Sequence, residues 1–129
     1  MFKILVLMKR KRGMSKADFI AYYESTHVKI GLTIFGGHAV KYIRRYLHPL
    51  YDPAAHTRTV PHFDVAMEAW FDDREHWEAA LKVASTPEMV KLSNEDHDQF
   101  CDHFERVVFE VQEHESDLGP VRSLPKKLD

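Results

Sequence analysis

The pattern of hydrophobic and polar residues along the chain predicts an alternation of strands and helices. Residues 2–9, FKILVLMK, are mostly apolar on both faces of an extended chain, which favours a central strand covered on either side. The start signal S-x-x-D at Ser15 and the terminating pair Gly36 and Gly37 predict a helix over about 15–34. The chain therefore begins with a strand followed by a helix.

The remainder of the chain predicts three more strands and further helix. Alternating positions favour strands over 39–48 and 63–71, and the proline-rich connection over 49–62 is too long for a tight hairpin. The elements expected after them are, in order, a helix over 74–84 capped by Asp72 or Asp73, a helical piece from Thr86, a final turn over 94–104 and a last strand over 105–111.

The order strand, helix, strand, strand, helix, strand favours an α+β fold of the ferredoxin-like βαββαβ type. In that fold an antiparallel four-stranded sheet carries two helices on one face. Because several strands are apolar on both sides, the uncovered face would expose a large apolar patch, which face-to-face dimerisation would bury. We therefore expect a homodimer, with the domain over 1–113 and a C-terminal tail over 114–129 that could cross to a partner subunit.

One histidine falls on the apolar stripe of the first predicted helix. The apolar members of this stripe, at helical spacing, are Phe19, Tyr22, Tyr23 and Ile30. His27 lies four residues after Tyr23 and three before Ile30, so helical geometry turns its imidazole towards the core. Either it is a core histidine satisfied by a neighbouring hydroxyl or carbonyl, or it borders a pocket where burial and a nearby carboxylate tune it as a general base.

Composition and charge argue against several classes of function. The 129-residue chain has 18 basic and 20 acidic residues and a formal net charge of -2, which gives no general attraction to nucleic acid or to an anionic membrane. The basic run KRKR at 9–12 is more typical of a solvated turn than of a binding patch. No apolar run is long enough to span a bilayer, the single Cys101 excludes an internal disulfide, and the N-terminal residues do not resemble a signal peptide, so we expect a cytoplasmic protein.

The opening VLMKRKRGMSKADFIAYYESTHVKI resembles the start of EthD domains. It contains a strand, a basic turn ending in Gly and Ser, an acidic helix start and the pattern aromatic-Tyr-x-x-x-His that ends at His27. The EthD family is a branch of the dimeric α+β barrel superfamily, so the resemblance implies two sheets paired into a barrel with the helices outside. Characterised relatives include dehydratases and decarboxylases of aromatic polyketides. The chain departs from the family after His27, where Val28 and Lys29 follow and no proline is near.

A second cluster of reactive side chains lies in the segment EDHDQFCDHF. On a helix His97 and Cys101 are one turn apart, as are Asp98 and Asp102. No H-E-x-x-H or paired C-x-x-C motif accompanies them, so neither a metal site nor a cysteine nucleophile is favoured. The segment is either a solvated helix end or a partner for the first histidine, in which His97 or Asp98 approaches His27 at the sheet edge.

Aromatic and polar side chains are candidates for the wall of a ligand pocket. Aromatic rings bind a flat ligand, and hydroxyl or carboxylate groups fix its orientation. The sequence does not settle which strand faces meet the helices, so each candidate could equally be an ordinary core residue. The candidates are Tyr23, Tyr42, Tyr46, Glu68, Trp70, Trp77 and Asp98.

The resemblance and these residues together favour a cofactor-free lyase that dehydrates or decarboxylates a small aromatic or polyketide-like molecule. In the predicted mechanism His27 is the general base, and His97 or a tyrosine such as Tyr46 protonates the departing hydroxyl. The alternatives are a dimeric module that binds such a ligand unchanged, a cofactor-free monooxygenase, and haem or metal oxygenation. No metal or cofactor is expected, and the expected partner is a small hydrophobic molecule rather than nucleic acid or a membrane.

Overall fold

The apolar run near the start of the chain forms a central strand of the sheet in the computed structural model, which describes residues 1–125. Within these residues the strands are β1 (Phe2–Met8), β2 (Lys41–Tyr46), β3 (Tyr51–Asp52), β4 (Thr57–Arg58), β5 (Val65–Phe71) and β6 (Val107–Glu110). The order across the main antiparallel sheet is β2-β5-β1-β6. The predicted α+β, ferredoxin-like class with a four-stranded antiparallel sheet is confirmed.

The helices begin where the sequence places capping residues. Within residues 1–125 they are α1 (Lys16–Tyr22), a π-helical turn (Tyr23–His27), α2 (Val28–Phe35), α3 (Arg74–Ala84), α4 (Pro87–Phe100) and a 3₁₀ turn (His103–Glu105). The side chains of Ser15, Asp73 and Thr86 accept hydrogen bonds from the backbone N–H groups three residues later. None of these helices combines the length and the apolar character needed to cross a membrane.

The sheet and the helices enclose the core on one side of the sheet. On β1 the alternate residues Ile4, Val6 and Met8 are buried against the helices. The rings of Phe19 and Phe100 are fully buried, with centroids 5.4 Å apart. Because α1 and α4 meet through these rings, the π-helical turn that follows α1 and carries His27 is held beside α4, which carries His97.

Among residues 1–125, no helix covers the opposite face of the sheet. Leu5 and Leu7 of β1 are only half-buried there, and Phe109 of β6 is 49% exposed. The strand register places Leu5 between Glu68 and Phe109, so apolar and charged side chains share this face. This surface, which we call the outer sheet face, is the uncovered apolar face that the strand pattern predicted.

Three segments differ from the sequence-based prediction. The first helix contains the wide turn over 23–27, in which Tyr23 and His27 are both buried. The segment expected as a final turn over 94–104 instead continues α4 to Phe100. The connection over 49–62 is long as predicted, but it also contains the short β3 and β4 pair.

The end of the chain forms no regular element within the described residues. Residues 111–125 contain no helix or strand. Residues 126–129, which belong to the predicted tail, lie outside the described residues. The division into a domain over 1–113 and a tail over 114–129 stays a prediction.

Candidate active site

A cavity of about 600 Å³ lies between the helix-facing side of the sheet and the helices. This volume is within the range of small-molecule sites, which is roughly 300–1,000 Å³. Its apolar lining comes from the sheet and from α2, α3 and α4: Ile4, Val6, Met8, Met67, Val108, Ile30, Ile34, Phe35, Trp77, Leu81, Ala84 and Val90. Its titratable side chains are Tyr23, His27, Tyr42, His97, His103 and Arg106. The lining therefore suits a mostly apolar ligand that meets a few polar groups.

A buried hydrogen-bonded chain supports the first histidine. The Asp96 carboxylate accepts from the Tyr22 hydroxyl at Oδ1, over 2.6 Å, and its Oδ2 lies 2.6 Å from Nδ1 of His27. His27 is 7% exposed and Asp96 is 9% exposed. Since a carboxylate oxygen only accepts, the neutral imidazole carries its proton on Nδ1, and Nε2 is left as the basic nitrogen for a ligand in the cavity.

The environment keeps His27 neutral. Burial lowers the pKa of His27 below its usual 6.5, and the charge of Arg106 acts in the same direction, whereas the bond to Asp96 opposes the shift. The Asp96 bond also keeps the same carboxylate ready to stabilise the imidazolium that forms if His27 takes a proton. The pair has the arrangement of a general base with an orienting carboxylate.

The second histidine lies beside the first. The ring centroid of His97 is 5.0 Å from that of His27 and 5.6 Å from that of His103. Burial, followed by the charges of His27, Arg106 and His103, lowers the pKa of His97 to about 3. His97 is therefore a neutral hydrogen-bonding group at pH 7.

Two tyrosines line the cavity as well, and one of them contacts His27. The hydroxyls of Tyr23 and Tyr42 lie 3.3 Å apart, and the ring of Tyr23 meets that of His27 edge-on at 4.8 Å. Burial raises the pKa of both phenols, so both keep their protons at neutral pH. Gly31 permits this arrangement, because a Cβ at that position would lie 2.3 Å from the Tyr42 hydroxyl oxygen.

The family model for the EthD domain matches residues 11–103, which is most of the chain. The chain belongs to the EthD domain family. This confirms the resemblance seen in the opening segment. No curated protein sequence matches the chain significantly.

Solved structures similar to this EthD domain support the fold. An ethyl tert-butyl ether D (EthD) family protein from Bacillus halodurans C-125 is 18% identical, with a TM-score of 0.57, covering 88% of this chain and 100% of that one. A dimeric ferredoxin-like protein of unknown function from Thermobifida fusca is 12% identical, with a TM-score of 0.54, covering 85% and 88%. At3g17210 from Arabidopsis thaliana is 12% identical, with a TM-score of 0.57, covering 92% and 100%.

The structure brings together four of the side chains that the sequence singled out for the site. His27, His97, Tyr23 and Trp77 all line the cavity of the EthD domain. Tyr42, the further candidate on β2, lines it as well. The prediction that the imidazole of His27 points inward is confirmed by its burial.

Two predicted residues, Tyr46 and Asp98, do not line the cavity. The Tyr46 hydroxyl donates to the Glu24 carboxylate, which also binds Arg44, so this phenol is already occupied. Asp98 is exposed and lies 2.5 Å from His103 Nε2. Asp98 faces away because it is two residues from buried Asp96, about half a turn of the helix.

Two other predicted residues, Glu68 and Trp70, lie on the outer sheet face and not in the cavity. The side chains of β5 alternate, and Met67 faces the cavity, so Glu68 and Trp70 point the other way. Glu68 forms an ion pair with Arg45 over 2.5 Å and accepts from the Trp70 indole over 3.1 Å. The structure corrects the expectation that these two residues line the pocket.

The remaining reactive groups give no metal site or nucleophile. Within residues 1–125 no three His, Cys, Asp or Glu side chains converge to hold a metal ion. Burial raises the pKa of the Cys101 thiol to about 12, so the thiolate needed for attack is scarce at neutral pH.

Sequence reasoning missed Asp96 and Arg106. A signal existed for each. Asp96 lies one helical turn before Phe100, on the buried stripe of α4. Arg106 lies two residues before Val108, which lines the cavity, so strand alternation turns it towards the same side.

Proposed function

We propose that this EthD-domain protein is a cofactor-free lyase that removes water or carbon dioxide from a small aromatic or polyketide-like molecule in the cavity. The observation that carries the proposal is the buried Asp96–His27 pair at the edge of a mostly apolar cavity, which His27 lines. A purely structural histidine would have both ring nitrogens bonded within the fold. Within residues 1–125, His27 has a hydrogen-bond partner at Nδ1 alone.

In a dehydration His27 acts first. Its Nε2 takes a proton from the carbon next to a substrate carbonyl, and Asp96 stabilises the resulting imidazolium through the Nδ1–H bond. The electron pair of the broken C–H bond moves to the carbonyl oxygen and gives an enolate. Neutral His97 is a suitable donor to that oxygen if its tautomer places a proton towards the cavity.

The leaving hydroxyl then needs a proton. Tyr42 is the better donor, because its phenol lines the cavity and is hydrogen-bonded only to Tyr23 within residues 1–125. As the enolate collapses, the C–O bond breaks and the hydroxyl leaves as water with the Tyr42 proton. The proton held by His27 returns to the Tyr42 phenolate through the released water. In this mechanism Tyr42, and not Tyr46, is the general acid that protonates the departing hydroxyl. His97 donates a hydrogen bond to the enolate oxygen.

Asp96 is a positioning residue, and Asp96→Asn should reduce turnover by about 10²- to 10⁴-fold, because the variant loses the basic nitrogen of His27. The asparagine amide would donate to Nδ1, so the His27 proton moves to Nε2 and the base is lost. The measurement is kcat with KM at several pH values, with Glu95→Gln on the exposed side of α4 as the control. Equal kcat for Asp96→Asn and the wild type would remove Asp96 from the mechanism.

We propose a homodimer formed through the outer sheet face. The apolar side chains of Leu5, Leu7 and Phe109 are incompletely buried there, and the Thermobifida fusca protein of similar fold is described as dimeric. A charged rim containing Lys3 and Arg45 would fix the pairing of the two sheets.

Leu5→Arg should weaken the dimer by about thirtyfold or more, because a central interface residue would become a buried charge. The sheet itself should persist, since Leu5 is adjacent to Glu68 in the register and its side chain is on the uncovered face. Sedimentation equilibrium measures the change, with Leu92→Arg on exposed α4 as the control. A wild-type protein that stays monomeric at micromolar concentration would contradict the proposal.

The cytoplasm is the compartment we propose for this reaction. The single cysteine is buried and forms no disulfide within the described residues. Such a thiol is compatible with a reducing compartment.

To test the reaction itself, the protein is incubated with aromatic β-hydroxy ketones and with aromatic β-keto acids. The masses of the products are then measured by mass spectrometry. Loss of the mass of water or of carbon dioxide supports a lyase. A gain of one oxygen atom would indicate the monooxygenase alternative, and ligands recovered unchanged would indicate a binding module.

A further inference from the structure

One cation of the cavity has no counter-charge within the described residues. Arg106 lines the cavity, and among residues 1–125 it forms no ion pair or side-chain hydrogen bond. Two other ionisable side chains of the lining have acidic partners: His27 pairs with Asp96, and His103 pairs with Asp98. A guanidinium has five N–H donors in a fixed fork, so those of Arg106 are available for a ligand.

The backbone holds Arg106 in this place. It directly precedes β6, where Val107 pairs with Leu7 and Val108 pairs with Val6. Val6 and Val108 line the cavity, so period-two alternation puts Arg106 on the cavity side as well. The position is therefore set by strand pairing.

The surroundings of Arg106 do not neutralise it. Burial lowers the pKa of Arg106, and the groups that act in the opposite direction are Cys101 and Tyr23, which are both uncharged at neutral pH. Its charge in turn lowers the pKa of His27 and of His97, so the guanidinium is within electrostatic reach of the proposed base. The Arg106 side chain is exposed in the folded chain, so its charge is accessible to a ligand that enters the cavity.

We propose that Arg106 binds the acid group of the substrate, and that the ligand of this cavity is an aromatic carboxylate. This inference rests on the proposed function and names its substrate class. A single carboxylate would match the single guanidinium in two parallel hydrogen bonds, while the ring lies among the apolar side chains. A phosphate dianion would leave one negative charge unpaired in an apolar cavity, which is unfavourable.

The same pairing separates dehydration from decarboxylation. An ion pair with Arg106 stabilises a carboxylate in the ground state, and it would weaken in the transition state of a decarboxylation, where the charge leaves the carboxylate for the breaking C–C bond. The carboxylate held by Arg106 is therefore retained, and it positions another part of the molecule against His27. A substrate that loses water and keeps its acid group fits this geometry.

The test compares a charged ligand with a neutral one of the same shape. Isothermal titration with 2-naphthoate and 2-naphthamide is done on wild type, Arg106→Gln, Arg106→Lys and Arg12→Gln, the last being an exposed residue of the basic turn. Wild type should bind the acid about ten- to hundredfold more tightly than the amide. Arg106→Gln should bind both ligands alike, Arg106→Lys should keep part of the preference, and Arg12→Gln should match wild type.

Several results would overturn the inference. They are equal affinity of wild type for acid and amide, no binding of either, an unchanged preference in Arg106→Gln, or loss of the preference in Arg12→Gln. Thermal unfolding checks the fold: Arg106→Gln should melt at the wild-type temperature or above it, and a large decrease would mean that Arg106 is structural. Acid binding through Arg106 without conversion of any aromatic acid would count against the lyase and leave the anion site intact.

Discussion

His27→Ala should lose about 10²- to 10⁴-fold in turnover, which is the contribution expected of a general base. The loss should appear in kcat, because the imidazole acts on the reacting carbon and not on the parts of the substrate that are merely bound. The apolar cavity and Arg106 remain in the variant, so ligand affinity should change much less. Measuring kcat and ligand dissociation separately distinguishes these effects.

The fold of the variant has to be verified, since the imidazole is buried. Removing it leaves Asp96 with the Tyr22 hydroxyl as its partner and should cost about 1–3 kcal/mol in the free energy of unfolding. His48→Ala, on an exposed loop, is the matched control and should leave kcat unchanged. A His27→Ala protein that is folded and fully active would end the assignment of His27 as the base.

Wild-type protein should lose about 2 kcal/mol of stability between pH 7 and pH 5 because of His97 alone. The pKa of His97 falls from 6.5 to about 3 on folding, chiefly by burial. Between these values the unfolded chain binds a proton that the folded chain does not, so the free energy of unfolding decreases as the pH falls from about 6.5 towards 3. Above pH 7 both forms are neutral, and the effect disappears.

Urea unfolding at pH 7 and pH 5 isolates this contribution when it is repeated on His97→Gln. The glutamine is uncharged at both values, so the variant should lose about 2 kcal/mol less than wild type over this interval. His48→Gln is the control for an exposed histidine and should follow wild type. Identical pH dependence of His97→Gln and wild type would mean that His97 is not held neutral by burial.

Most of the fold was predictable because local signals and the tertiary structure agree. Ser15, Asp73 and Thr86 cap helices where the sequence indicated helix starts, and the apolar alternation placed the strands of the main sheet. The wide turn over 23–27 was not predictable, because a π-helical turn has no distinctive residue pattern in this segment.

The candidate site was predictable in part. His27 could be placed inward because helical spacing alone aligns it with Tyr23. The carboxylate partner of His27 could not be identified in the same way. Asp96 and Asp98 are equally acidic, and only the continuation of α4 through Phe100 decides which one is buried.

The prediction for two strand residues was wrong for a different reason. Glu68 and Trp70 lie on β5, where both faces carry apolar side chains, so the parity of the strand could not be read from hydrophobicity. Strand alternation puts Arg106 on the same side as Val108, but which side faces the cavity depends on the pairing of β6 with β1, which is a long-range contact.

A native mass spectrum of the gently purified protein tests most directly whether the cavity beside His27 and Asp96 is a ligand site within a dimer. The predicted result is the mass of two chains with a bound small organic molecule, or one that appears after incubation with 2-naphthoate and is lost in Arg106→Gln. A monomer that carries no organic mass under either condition would contradict the site and the dimer together.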